Sequence, residues 1–173
     1  MAGALIVTAM LGARDLSRLD GLRREHFPPE RNFLKAHLTL FHALPPSLEA
    51  EAKALLSQLA AHHRKPDAKL SEVMSLGRGV AFRIRSDDLE ALRQLIAEHF
   101  HGALTAQDNQ GWRPHITIQN KVESKVAKAL KTELERSFEP RPLEIAGLAL
   151  HRYMDGPWEP IGRWNFRGRG SAR

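Results

Sequence analysis

Apolar positions recur along the chain in two rhythms, an unbroken or alternating one that suits strands and a three-to-four residue one that suits helices. Ala4 to Leu11, interrupted only by Thr8, reads as a buried strand. Asp15 to His26 places Leu16, Leu19 and Leu22 on one side of a short helix, closed by Pro28 and Pro29. His37 to His42 is a short strand ended by Pro45 and Pro46. Ser47 then stands as the cap of a helix with Leu48, Ala52, Leu55, Leu56 and Leu59 on one buried face, ended by Pro66. Lys69 to Leu76 and Val80 to Arg85 form two strands about a turn at Gly77 and Gly79. Asp87 with Glu90 has the form of a capping box, opening a helix that buries Leu89, Leu92, Ile96 and Phe100. A polar loop, Thr105 to Arg113, leads through Pro114 into a strand from His115 to Ile118. Ser124 opens a helix with Val126, Leu130, Leu134 and Phe138 spaced by four, ended by Pro140 and Pro142. Two strands close the chain, Leu143 to Tyr153 and Trp158 to Phe166, about a turn at Asp155, Gly156 and Pro157.

The order of elements repeats. Each half holds a strand and helix, a His-containing strand, a further helix and a strand pair. This predicts an α+β domain over 1–167, built from pseudo-repeat halves of about 1–86 and 87–167, with antiparallel or mixed sheets and helices packed outside. One copy could not easily close its own core, so two lobes pack together. Residues 168–173 are expected to form a disordered basic tail.

Composition adds exclusions. The chain has 173 residues, 42% apolar and 27% charged, which is a globular makeup. No apolar run approaches the ~18 residues of a membrane span, and no basic segment precedes the Ala4 to Leu11 run as in a signal peptide. There is no cysteine, which removes disulfides, zinc–thiolate sites and thiol nucleophiles, and fits a cytoplasmic location. The net charge of +6 is concentrated: residues 163–173 hold Arg163, Arg167, Arg169 and Arg173 and no acid, so the rest carries only +2. A basic body is therefore not the evidence for a nucleic-acid partner.

The chemistry lies in two short motifs. His37-Leu38-Thr39-Leu40 and His115-Ile116-Thr117-Ile118 are both His, apolar, Thr, apolar, at matching places in the repeat. On a strand, residues i and i+2 share a face about 6.6 Å apart. His37 and Thr39 therefore point one way over Leu38 and Leu40, and His115 and Thr117 do the same over Ile116 and Ile118. A two-fold relation between halves brings two imidazoles and two hydroxyls to one cleft. Displacement at phosphorus uses such a set: a neutral His removes a proton from the attacking oxygen, a protonated His supplies one to the leaving oxygen, and the hydroxyls bind the non-bridging oxygens. No metal is required.

On these motifs, the duplicated layout, the Pro114-His115 junction and the Trp158 to Trp164 stretch, the chain resembles the two-histidine (2H) phosphoesterase superfamily. The likeness is to its bacterial 2′–5′ RNA ligase and RNA 2′,3′-cyclic phosphodiesterase branch. The resemblance implies a bilobal fold with a V-shaped cleft, no cofactor, and an RNA or nucleotide substrate with a 2′,3′-cyclic phosphate end or a 2′–5′ linkage. It implies that His37 is the proton donor to the leaving oxygen, that His115 accepts the proton from water, and that Thr39 and Thr117 bind the phosphate. Better-known members carry a basic residue, often Arg, shortly after the second motif; here Gln119 and Asn120 precede Lys121, which by strand alternation shares the His115 face as a point charge. Ala36 stands before the first motif in place of Pro. Phe41, with the parity of His37, and Trp112, in the loop before Pro114, are expected to flank the substrate, as are Arg152 and Tyr153 on a late strand. His42 follows the first motif and is expected at a solvated edge; His62, His63, His99 and His101 near helix ends carry no assigned role.

The expectation is a monomeric, metal-independent phosphodiesterase with no obligate protein partner and no membrane association. Three other readings stay open: a non-catalytic RNA-end-binding module, a phosphodiesterase for another nucleotide such as an ADP-ribose cyclic phosphate, and a two-His metal hydrolase.

Overall fold

The alternating and unbroken apolar runs pair into two four-stranded sheets, each antiparallel throughout, in a computed structural model that describes residues 3–169. In chain order the elements are β1 (Leu5–Leu11), α1 (Ala13–His26), β2 (Leu38–Leu44), α2 (Glu49–His62), β3 (Lys69–Ser75), β4 (Val80–Arg85), α3 (Asp87–His99), α4 (Ala106–Asn109), β5 (His115–Gln119), α5 (Ser124–Ser137), β6 (Arg141–Pro142), β7 (Ile145–Tyr153) and β8 (Trp158–Asn165). One sheet has the order β2-β1-β7-β8 and the other β5-β4-β3-β6.

Counted from its leading strand, the first repeat unit runs from β1 to β3 and the second from β4 to β8, so that β4 (Val80–Arg85), which a division at about 86 leaves in the first half, opens the second unit. Each sheet mixes the two units. β1 and β4 are inner strands, and each carries a His strand, β2 or β5, on one flank. The strand on the other flank comes from the opposite unit: β7 beside β1, and β3 beside β4. The repeat is real in order but its strands are exchanged in space. Each sheet thus needs both units for closure, and residues of both sheets form one continuous core.

Helix α2 lies against β7 and β8, α5 lies against β3 and β4, and α1 reaches β5 of the other sheet. The α2 face is the expected one, with Ala52, Leu56 and Leu59 buried. Its start differs: Ser47 lies in a 3-10 turn, Pro46–Leu48, and gives no side-chain cap to the helix that begins at Glu49. Helix α3 is capped not by an Asp87–Glu90 box but by Ser86, whose Oγ accepts from Leu89 N at 3.0 Å and donates to Asp67 O at 2.7 Å. In α5 the buried residues are Ala127 and Leu130, while Val126 is 45% exposed, so its inner face is turned by one position. Phe138 still packs inward, stacked on Phe82 at 5.5 Å. The polar loop before β5 contains the short helix α4, capped by Thr105.

The chain end is ordered further than expected. Arg167 N and Gly168 N donate to Ala60 O and His63 O, tying the segment to the end of α2. Of the expected basic tail, 170–173 lie outside the described residues. No helix among the described residues is long and apolar enough to cross a membrane.

Candidate active site

The two sheets meet where β2 and β5 approach each other, and both motifs stand at that junction. His37 immediately precedes β2 and His115 is the first residue of β5. Each ring is held in the same way. Nδ1 of His37 contacts Lys35 O at 2.8 Å and Nδ1 of His115 contacts Arg113 O at 2.7 Å. A carbonyl oxygen can only accept, so in both rings the proton sits on Nδ1 and Nε2 is the nitrogen left to exchange protons. His37, Thr39, His115 and Thr117 line one cavity of about 360 Å³. The four residues singled out by the motif therefore share one site.

Burial pushes His37 down to about 4, against a partial upward pull from its bond to Lys35 O, and the positive charges of Arg23, His151 and His115 lower it further. Trp158 supplies part of that apolar wall, its ring edge-on to His37 with centroids 4.7 Å apart. In the ligand-free cleft at neutral pH, His37 is therefore an uncharged imidazole. His151 also stands beside Trp158, with ring centroids 5.2 Å apart, and shares a hydrogen bond of 2.9 Å with Thr8 Oγ1; burial lowers its pKa as well.

Strand β2 does not keep a single alternation. Val7 pairs with Phe41 and Thr8 with Thr39, so one step on β1 spans two on β2. This is a β-bulge, and beyond it the strand's parity changes. Leu40 and Phe41 are both fully buried in consequence. Phe41 is thus a core residue and not a cleft residue, and His42 takes the cavity-facing place that simple alternation would give to Phe41. His42 is anchored there: Asp108 Oδ1 accepts from its Nδ1 at 3.0 Å and from its backbone N at 2.9 Å, and Oδ2 accepts from Ala43 N at 3.1 Å. Burial alone would raise the Asp108 carboxyl, yet the bonds from His42 and Ala43 outweigh it and hold the group below its ordinary value.

Both motif strands are fastened from the opposite half of the chain. Arg23 on α1, 4% exposed, donates from Nη1 to Thr117 O at 3.1 Å and from Nε to Asn32 Oδ1 and Leu34 O. Arg93 on α3 donates from Nε to Leu40 O at 2.9 Å and from Nη2 to Asp108 O at 2.9 Å. Its guanidinium lies 4.5 Å from the Phe41 ring centroid and 5.3 Å from that of Trp112. Burial lowers the pKa of each arginine, partly offset by Asp20 for Arg23 and by Asp108 for Arg93. Trp112 lines the same cavity and donates from Nε1 to Thr39 O at 3.1 Å.

Besides Phe41, three expected residues are not at the cavity. Lys121 falls beyond the end of β5, in a left-handed turn with φ 63°, so strand alternation does not reach it. The cations that line the cavity are Arg93 and Arg113. Arg152 is ion-paired with Glu49 and Glu159. Arg152 and Tyr153 follow His151, which faces Thr8 on the first sheet. The residues not foreseen are Arg23, Arg93, Asp108 and Trp158; His42 lines the cavity with its side chain still 43% exposed, in keeping with the solvated edge expected of it. Only α4 gave a local sign of one: Thr105 three residues before Asp108 is a capping spacing. Among the described residues no group of three His, Asp or Glu is arranged to hold a metal ion.

Relatives place this geometry. TT0787 of Thermus thermophilus superposes with a TM-score of 0.67 at 17% identity, covering 96% of this chain and all of that one. LigT of E. coli, solved with 3′-AMP, superposes with a TM-score of 0.60 at 19% identity, over 96% of this chain and 99% of that one. LigT solved with NADP+ gives 0.58 at 20% identity, over 96% and 99%. At these identities the likeness is one of fold. No curated protein matches by sequence. The family model for the 2′-5′ RNA ligase superfamily matches residues 12–157, a span that contains both motifs, Arg23, Arg93, Asp108 and Trp112. The chain belongs to the 2′-5′ RNA ligase superfamily, and its fold is the duplicated two-histidine phosphoesterase fold.

Proposed function

We propose that this protein is a metal-independent phosphodiesterase that opens RNA-type 2′,3′-cyclic phosphates to 2′-phosphates, with 2′–5′ ligation as the related reaction when a 5′-hydroxyl replaces water. The observation that carries this reading is the matched pair of Nδ1–carbonyl bonds, which leaves two exchangeable Nε2 atoms and two threonine hydroxyls around one cavity. Nucleotide ligands are in keeping with it, since LigT has been solved with 3′-AMP, ATP and NADP+.

In the proposed reaction the phosphate sits between the rings. Nε2 of His115 takes a proton as water attacks phosphorus. The bond from phosphorus to O3′ breaks, and O3′ takes the proton carried by Nε2 of His37. Thr39 and Thr117 donate to the non-bridging oxygens as charge grows there. His37 starts neutral in the free cleft, so this assignment needs the bound phosphate anion to draw a proton onto it. Opposite charge within a few ångströms favours the protonated ring, and the anion supplies it.

The depressed pKa of His37 favours a second reading of the roles, with His37 as base and His115 as acid. The two are separable. An activated aryl phosphodiester has a leaving group that needs no proton. On it, the variant lacking the acid keeps near-native turnover, and the variant lacking the base does not. On a nucleoside 2′,3′-cyclic phosphate, His37→Ala and His115→Ala should each lose about 10²–10⁴-fold, the usual worth of a positioned acid or base. Turnover should survive exhaustive chelation. Near-native turnover of a cyclic phosphate by either variant would remove that histidine from the reaction, and no turnover on any cyclic phosphate, with binding retained, would leave an RNA-end-binding module.

A further inference from the structure

His42 is a third imidazole in the cavity that the two motif histidines share, and neither motif contains it. The β2 bulge puts it there, three residues after Thr39, where an even strand would have presented Phe41. Its mounting differs from that of the motif histidines. Their Nδ1 atoms meet backbone carbonyls, whereas Nδ1 of His42 meets a carboxylate, Asp108 Oδ1, at 3.0 Å. The proton therefore sits on Nδ1, and Nε2 is the nitrogen left to face a ligand. A carboxylate in this place fixes the tautomer and stabilises the ring when it is protonated. Asp108 is itself immobilised. Its side chain is 1% exposed, and its oxygens accept from His42 N and Ala43 N. Its main chain is tied as well, Asp108 O accepting from Arg93 Nη2 and Asp108 N donating to Thr105 Oγ1. The His42 ring is not needed for that attachment. The backbone amides already join Asp108 to β2, and an ion pair this open to solvent adds little to stability.

We propose that His42, protonated and backed by Asp108, is a further catalytic residue that donates from Nε2 to a non-bridging oxygen of the bound phosphate and stabilises the negative charge that ring opening adds. The inference rests on the phosphodiesterase reading above. Opening a cyclic diester turns a monoanion into a phosphomonoester of about −1.5 to −2 charge at pH 7. The transition state that leads to it therefore calls for more positive charge than the substrate does, at donors already in place. The other groups on the cavity wall are less suited to supply it. Arg93 spends Nε and Nη2 on Leu40 O and Asp108 O and lies against the rings of Phe41 and Trp112. His37 and His115 exchange protons in the proposed reaction, so neither keeps one charge throughout. Arg113 lines the cavity beside them as a second cation. No proton leaves His42. The transfers run between water, O3′ and the two motif histidines, so the balance of the reaction is unchanged. A mere latch between α4 and β2 would use the carboxylate and the amides, and would give no reason for the ring to line the cavity with Thr39 and Thr117.

The test uses His42→Leu, which removes donor and charge, and His42→Gln, which keeps an uncharged donor. On a nucleoside 2′,3′-cyclic phosphate, His42→Leu should lower kcat/KM on the order of 10²-fold, the usual worth of one donor at a developing oxyanion, and His42→Gln should lose less. Each should lose the same factor on an activated aryl phosphodiester, because the donor serves the phosphoryl oxygens and not the leaving group. The Tm of both should stay within a few degrees of the parent. Parent-like kcat/KM in His42→Leu overturns the proposal. So does a loss confined to the cyclic phosphate, which would make His42 a proton donor instead. The ring is also read directly in the parent protein, where the nitrogen shift of His42 Nε2 should move saturably with inorganic phosphate and not with chloride. That reading decides the case in which a variant unfolds. It also separates the two proposals: if the parent opens no cyclic phosphate, the proposed reaction fails, and an Nε2 that moves with phosphate still upholds the contact. An Nε2 indifferent to phosphate overturns it whatever the activity.

Discussion

Arg23 Nη1 donates to the backbone carbonyl of Thr117 at 3.1 Å, reaching from a helix of the first half of the chain to the motif strand of the second. Its partners are two carbonyls, an amide oxygen and the Phe27 ring at 4.2 Å. Removing the side chain takes a donor from all three oxygens in a part-buried site. Arg23→Met should destabilise the fold by about 2–4 kcal/mol, at roughly 1 kcal/mol per lost bond plus packing. That corresponds to a fall in Tm on the order of 5–10 °C for a domain of this size. Arg23→Lys should recover little of it, because an ammonium lacks the planar fork. Thermal unfolding of the three proteins checks this; a Tm unchanged in Arg23→Met means that the strand is held without it.

The two threonines should matter to rate and not to folding. Valine keeps the β-branched shape that a strand accepts. Thr39→Val and Thr117→Val remove only a hydroxyl aimed at developing charge, worth about 2–4 kcal/mol where well placed. Each should lower kcat on a cyclic phosphate with Tm within a few degrees of the parent. If both fold and turn over normally, the alternation is a packing pattern and not a phosphate site.

Asp108 should be a stability residue that also sets the cleft. Asp108→Ala leaves the amides of His42 and Ala43 without an acceptor, a cost of about 2–3 kcal/mol. Asp108→Asn keeps one acceptor oxygen and should lose less. The carboxyl is held below its ordinary value, so its contribution is full above the unfolded value of 3.8 and is lost as pH falls through the lower folded value. Urea unfolding at pH 7 and at pH 3 should show the parent losing more stability on acidification than Asp108→Asn does.

His37 fixes the acid behaviour at higher pH. Its folded value of about 4 lies below the ordinary 6.5, so between them the unfolded chain binds a proton that the native chain does not. Stability therefore rises with pH across that window and falls as the solution is acidified. Nitrogen chemical shifts of the ring should give a midpoint near 4 in the free protein and an upward move when inorganic phosphate or a nucleotide is added. A free-protein midpoint at 6.5 or above contradicts the burial of this ring, and no upward move with ligand favours His37 as the base.

The motif pairs, the faces of α2 and α3 and the α+β repeat were legible because each is a local property. Residues two apart on a strand share a face whatever surrounds them, so His37 with Thr39 and His115 with Thr117 could be read from spacing alone. The α2 face followed from its 3.6-residue period in the same way. Parity failed where pairing with another strand inserted a residue. The bulge in β2 buried Phe41 and brought His42 to the cavity in its place. Lys121 was lost to the site because β5 ends two residues before it. Arg23, Arg93 and Asp108 were invisible for a different reason. Each bonds to a strand 53 to 94 residues away, and nothing near them in the chain records those partners. The sequence alone determined which side chains share a strand face. Tertiary structure decided how they are aimed, because bulge positions and long-range hydrogen bonds depend on which strands lie side by side, and here β7 lies beside β1 and β3 beside β4, each from the opposite repeat unit.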